Sequence, residues 1–236
     1  MKNKLFYITY QSFPADTANS IQTISNLKYF SKNNYDVSLF FPLREKNSSD
    51  DFKIIDSHYN LGEKIKLIGV KHNFPFGKIN FFNSFWFLIS HFLWSRKTIK
   101  EILKEKDPDV YITRNFFTMF ILTLLGKKVI LEIHHDIQIE SRITKFLINF
   151  LKILNSNNIV RIIAISNKVK KYYLNTFNIQ KNKIIVLPSG SSIKIPNYFK
   201  INNLRKLNIG YFGSIYKSRG ADIFLNLSKL DKKNNY

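Results

Sequence analysis

The sequence predicts an α/β fold, a parallel sheet with helices on both faces, followed by the start of a second unit of the same kind. Three observations lead there. Short apolar runs alternate with longer segments of helical spacing along the chain. Several of those runs, "VRIIAIS" and "KVILEI" among them, are apolar almost without interruption, as strands covered on both faces are. Beyond Leu187-Pro188-Ser189-Gly190 the pattern lapses and then restarts with "LNIGYFGS" and "GADIFLNLSKL".

In order, Lys4–Tyr10 reads as a strand and "QSFPADTANS" as a loop. A helix follows from about Ser20 to Lys32, capped by a side-chain oxygen of Asn19 or Ser20. Tyr35–Phe41 is the second strand, and a polar, mobile stretch runs from there to about Glu63. Lys66–Val70, Asp109–Thr113, Lys128–Ile133, Val160–Ile165 and Lys183–Leu187 read as further strands with helices between them. The boundaries expected are residues 1–189 for a Rossmann-like domain, 190–205 for a linker, and 206–236 for the start of a second domain. One strand–helix unit cannot cover its own sheet faces, so this second domain is read as incomplete.

Composition sets limits. The 236 residues are 44% hydrophobic, enough for a proper core, and contain no cysteine. Disulfides and cysteine-ligated metals are therefore excluded. The N-terminal "MKNKLFYITYQSFP" has too short an apolar run for a signal peptide and reads as the first strand. A net charge of +21 invites nucleic acid, anionic lipid or phosphorylated ligands as partners. The lysines are scattered and no nucleic-acid motif accompanies them, so no nucleic-acid partner is expected.

The segment Phe81–Trp94, "FFNSFWFLISHFLW", is aromatic or aliphatic except for a narrow stripe of Asn83, Ser84, Ser90 and His91. At about 1.5 Å per residue it is too short to span a bilayer core of roughly 30 Å. Two readings stand. It packs under its own sheet, or it lies on an anionic membrane surface through Phe81, Phe85, Trp86 and Trp94.

In "VILEIHHDIQIE", two of the five histidines are adjacent. Neighbours on a strand point to opposite faces, so His134 and His135 would not chelate one ion, and no metal is expected. His134 follows the strand directly, at the edge where open parallel sheets bind ligands. There it is either a group that bonds a substrate hydroxyl or moves a proton, or a polar strand end. "YFGSIYKSRGAD" is a strand, turn and helix start. Either it is an ordinary βα turn, or its Gly213 lets the backbone approach a ligand and Arg219 contacts a phosphate.

The order of these pieces resembles that of family-4-type glycosyltransferases, which have the GT-B fold of two Rossmann-like domains facing across a cleft. "VILEIHHD" is similar to their E-x-H strand, "RIIAISNKVKKYY" to their strand–helix junction, "IIVLPSGSS" to their hinge and "IGYFGSIYKSRGADIFL" to the first unit of their donor domain. The resemblance implies transfer of a sugar, with retention, from a nucleotide-sugar to a lipid-linked or polysaccharide acceptor. It requires no metal and no cofactor beyond the nucleotide-sugar. It places His134 beside the transferred sugar as the catalytic position, and gives substrate contacts to Asn19, Glu132, the hinge Gly190, Gly213 and Arg219. His135 takes no role. The first loop lacks the family's glycine pair, Ser189 replaces an Asn, and Ser214 replaces an Arg. The E-x7-E element of the donor site lies beyond Tyr236. The expectation is a truncated enzyme of envelope polysaccharide assembly, cytoplasmic and peripheral on the membrane, inactive alone. The alternative is a non-catalytic half that binds glycan or lipid and pairs with a separate donor-domain chain.

Overall fold

The computed structural model describes residues 2–74, 83–134, 142–190, 209–211, 220–231 and 233–234, with backbone alone at 83–85, 143 and 144. The chain divides into two compact units, Met1–Gly190 and Ser191–Tyr236.

The first unit is built on seven strands: β1 (Asn3–Ile8), β2 (Tyr35–Leu43), β3 (Lys66–Lys71), β4 (Val110–Thr113), β5 (Val129–Ile133), β6 (Ile159–Ala164) and β7 (Ile184–Val186). All pair in parallel in the order β3-β2-β1-β4-β5-β6-β7. The chain therefore winds outward from β1 in one direction, then returns to begin again at β4. Crossovers between parallel strands are right-handed, so reversing the winding reverses the face on which the helices lie. Helices α1 (Ala18–Lys32) and α2 (Phe52–Tyr59) take one face; α3 (Asn83–Ile102), α4 (Phe116–Leu124), α5 (Arg142–Leu151) and α6 (Asn167–Phe177) take the other.

Strand alternation sorts the core accordingly. Leu5 and Tyr7 of β1 pack with Ile24, Leu27 and Ile55 beneath α1 and α2. Phe6 and Ile8 pack with Trp94, Met119, Ile148 and Tyr173 beneath α3 to α6.

Three sequence expectations change, and one lies largely outside the described residues. The polar stretch before Glu63 contains α2, capped by the Asp51 carboxylate on the Lys53 N–H at 2.8 Å. It buries only Ile55, too little to give a readable periodicity. Helix α1 begins at Ala18 under a Thr17 cap, because Ser20 is buried and hydrogen-bonded to Thr17. Strand β6 is not covered on both faces: Val160 and Arg161 are exposed, since α1 and α2 lie over the opposite half of the sheet. In the second unit, residues 209–211 pair with no described strand, and the rest of "LNIGYFGS" lies outside the described residues. The helix expected there is present as α7 (Ala221–Leu230), entered through Gly220 at φ 82°, a left-handed conformation that suits glycine.

Trp94 settles where α3 faces. It is 1% exposed and packs edge-on against Tyr10 at 5.3 Å between ring centres, so it does not reach a membrane. The inner side of α3 carries Ser90, Trp94, Ser95, Thr98 and Ile102, which turns the upper polar stripe inward. Phe81 and the side chain of Phe85 lie outside what is described, and Trp86 is half-buried. No helix among the described residues is long and apolar enough to cross a membrane. Trp94→Ala should destabilise the fold by about 3–5 kcal/mol through the cavity it leaves. The indole N–H has no hydrogen-bond partner among the described residues, so Trp94→Phe should cost much less. Urea unfolding of the two variants measures both, and equal midpoints would contradict this packing.

Candidate active site

The winding reverses between β1 and β4, and at such a point the loops leaving the two strands diverge and open a crevice. A pocket of about 320 Å³ lies there. The residue immediately after each of four strands lines it: Thr9 after β1, Arg44 after β2, Arg114 after β4 and His134 after β5. Asn19, in the first turn of α1, reaches it from one side; His91 of α3 and the Phe116–Phe117 pair of α4 close it from another.

The floor is organised by Glu132. Glu132 and His134 are two residues apart on an extended segment and so share a face. The Glu132 carboxylate is 7% exposed and takes three partners: the Tyr7 hydroxyl at 2.7 Å, Arg114 Nη2 at 2.6 Å and His134 Nε2 at 2.7 Å. Burial alone would push this carboxyl up. The His134 hydrogen bond, the Arg114 charge and hydrogen bond and the Tyr7 hydroxyl outweigh it and hold it at about 2. The carboxylate is therefore ionised and can only accept, which fixes a proton on His134 Nε2. The other ring nitrogen, Nδ1, is the one left for a ligand. Burial and the adjacent carboxylate raise the Tyr7 phenol well above its ordinary range, so it remains a donor.

The α3 wall is a second network. Asn115 caps α4: its Oδ1 accepts from the Thr118 N–H at 2.9 Å and lies 2.9 Å from Ser95 Oγ. That fixes the amide, so Nδ2 faces His91 Nδ1 at 2.9 Å and donates to it. The neutral His91 ring thus carries its proton on Nε2. Burial, with Arg44 and His72 nearby, pushes this imidazole down to about 3. The Tyr10 ring stacks on His91 at 3.7 Å, and its hydroxyl meets His72 Nε2 at 2.7 Å and Ser90 Oγ at 2.8 Å. Burial, Arg44 and Lys97 bring His72 down to about 4. Arg44 lies over the Tyr10 ring, 4.8 Å from its centre, and donates to Ser12 Oγ at 2.7 Å.

The pocket therefore offers one hydrogen-bond acceptor on a carboxylate-anchored imidazole, donors from His91, Arg44 and Arg114, and flat aromatic walls. That set suits a polyhydroxylated ring, which needs both donors and acceptors and stacks its apolar face.

A protein-family model, Glycosyltransferase Family 4, matches residues 22–193. The chain belongs to glycosyltransferase family 4. Among curated proteins none is similar enough in sequence to be matched. Of solved structures, the Anabaena HepE protein in complex with UDP and glucose has a TM-score of 0.51 at 12% identity, covering 97% of this chain and 50% of its own. A glycosyltransferase from Rickettsia africae has a TM-score of 0.47 at 17% identity, covering 79% of this chain and 43% of its own. The chain thus spans about half the length of the solved structures it matches. The seven-stranded sheet is consistent with one half of a GT-B fold.

Of the residues singled out in this family-4 sequence, His134, Glu132 and Asn19 come together at the pocket. Gly190 does not line it; it ends the first unit, where a Cβ would meet nothing within 4 Å. His135, Gly213 and Arg219 lie outside the described residues. The structure adds Tyr7, Arg114, His91, Asn115 and Arg44. The rule that singled out His134, a polar residue directly after an apolar strand, also finds Arg114 in "VYITRN" and Arg44 in "LFFPLRE". Nothing in the sequence pairs Tyr7 with Glu132, since 125 positions separate them. Among the described residues, no group of three or more His, Asp or Glu gathers where it would hold a metal ion.

Proposed function

We propose that residues 1–189 form the acceptor-binding half of a retaining glycosyltransferase, joined by a linker at 190–205 to the beginning of a donor domain at 206–236. A sugar passes from a nucleotide-sugar to a hydroxyl of a lipid-linked or polysaccharide acceptor held in the pocket. The observation that carries this reading is the His134–Glu132–Arg114 cluster at the sheet's reversal point, in a chain of this family. His134 Nδ1 accepts from a hydroxyl of the sugar being transferred or of its acceptor, while Glu132 holds the ring and Asn19 contributes a further hydrogen bond. Gly190 gives the hinge, and Gly213 and Arg219 meet the diphosphate. Fixed basic groups offset the leaving charge, a role that otherwise falls to a cation. A fold relative that holds UDP and glucose supports a nucleotide-sugar as donor.

The protein works in the cytoplasm on the membrane surface, in assembly of envelope polysaccharide. A second form of the reading is a non-catalytic half that binds glycan or lipid and pairs with a separate donor-domain chain. The test is turnover of a panel of radiolabelled nucleotide-sugars with a membrane lipid extract as acceptor. Chain 1–236 alone should transfer nothing, and addition of its donor half should restore transfer. Turnover by the lone chain would remove the requirement for a donor half. No transfer with both halves present would remove the transferase reading.

A further inference from the structure

The positive charge of this protein is not evenly spread. Residues 1–140 hold 19 Lys or Arg against 14 Asp or Glu, whereas residues 141–236 hold 18 against 2. The latter segment thus contributes +16 of the net +21. Between 142 and 190, which covers α5, β6, α6 and β7, nine basic residues stand with no acidic one.

The first helix of this segment also leaves two large aromatic side chains uncovered, each more exposed than the exposed aromatics of α1, α2 and α3. Phe146 and Phe150 of α5 are 64% and 73% exposed, and their rings stack at 5.9 Å and 14°. Four residues apart, they share one helix face. Ile148, on the opposite side, is buried and lines the pocket. Arg142, one turn before Phe146, and Lys152, just past the helix end, are exposed beside the pair. Lys145 lies 5.9 Å from the Tyr172 ring centre of α6, whose own Lys168 and Lys171 are exposed. Both helices lie on the same face of the sheet.

We infer that α5 is a membrane-docking helix, which seats Phe146 and Phe150 in the interface of an anionic lipid bilayer while the basic residues of α5 and α6 meet its headgroups. At ten residues it measures about 15 Å, so it lies in the plane and does not span. Aromatic rings flanked by cations match the two layers of such an interface, apolar just below the charged headgroups. The same helix forms a pocket wall through Ile148, so docking holds the pocket about one helix diameter from the bilayer, within reach of a lipid-linked acceptor. The inference rests on the membrane-surface location in the proposed function and places that contact on α5. Vesicle binding involves no sugar transfer, so the two succeed or fail separately.

The test is sedimentation of the 236-residue chain with phosphatidylcholine vesicles, with and without phosphatidylglycerol. The wild-type chain should co-sediment with the anionic vesicles only, and Phe146→Ser with Phe150→Ser should lower the bound fraction roughly tenfold or more. Leu124→Ser with Leu125→Ser, exposed apolar residues at the end of α4, should leave it unchanged. Phe150→Trp reads insertion in a protein that keeps its aromatic face: brominated acyl chains should quench its emission beyond that of wild type. Absence of that extra quenching, or equal sedimentation of the double serine variant, overturns the inference. So does self-association of the wild type that the serine pair abolishes while no vesicle binding is seen, which would make a second copy the occupant.

Discussion

Glu132→Ala should destabilise the first unit by about 3–5 kcal/mol, because it strips the partner from a buried guanidinium. Among the described residues Arg114 has no other carboxylate partner. Its Nη2 donates to this carboxylate, and its Nε is buried without a partner among the described residues. The Tyr7 hydroxyl, fully buried, would lose its acceptor as well. The pH dependence carries a separate signature. The folded-state carboxyl stands at about 2 against an ordinary 4.5, so its ionised form is favoured by folding. That contribution, on the order of 3 kcal/mol, is present above pH 4.5 and is lost as the pH falls toward 2. Urea midpoints measured from pH 6 down to 2 should fall steeply in the wild type and more gently in Glu132→Gln. Parallel curves would mean that another group carries the acid sensitivity.

His134→Ala should lower kcat by roughly 10²–10⁴ in the enzyme assembled with its donor half, with a much smaller effect on unfolding. The difference from Glu132 lies in what each side chain supports. His134 hangs from the carboxylate by one hydrogen bond and lines the pocket, so its loss leaves Arg114 and Tyr7 still paired. His134→Gln, which can still donate to Glu132, should keep the stability and recover little of the rate. A rate within a few-fold of wild type in His134→Ala would make this imidazole a strand-end contact without a chemical task.

The strands were legible because parallel strands are written as apolar runs, and "VRIIAIS" and "VILEI" differ from the seven-stranded sheet only at their ends. Helix α2 was not, since a helix that buries Ile55 alone writes almost nothing in its periodicity. The site divides the same way. His134 could be found by its place after a strand. The carboxylate that orients it was visible only as part of a motif, and the tyrosine and arginine that complete it come from β1 and from the end of β4. Only the register of a folded sheet brings those three strands together. The direction of α3 was also beyond the sequence. Its aromatic residues are numerous on every side, and the few hydroxyls and the imidazole that decide which side faces inward do so by finding partners on other elements.

The clamp on His91 has a consequence for the working range of the pocket. An imidazole held at about 3, with its neighbour His72 at about 4, stays uncharged throughout ordinary cellular acidity. The α3 wall is therefore electrically silent: it presents the same single donor to a sugar at pH 5 as at pH 8. A chain with five histidines has placed two of them where they behave as fixed amides rather than as acid–base sensors. Recognition on that wall is thereby insulated from the medium, and an inflection near neutrality in a rate profile would have to be traced to groups other than these two.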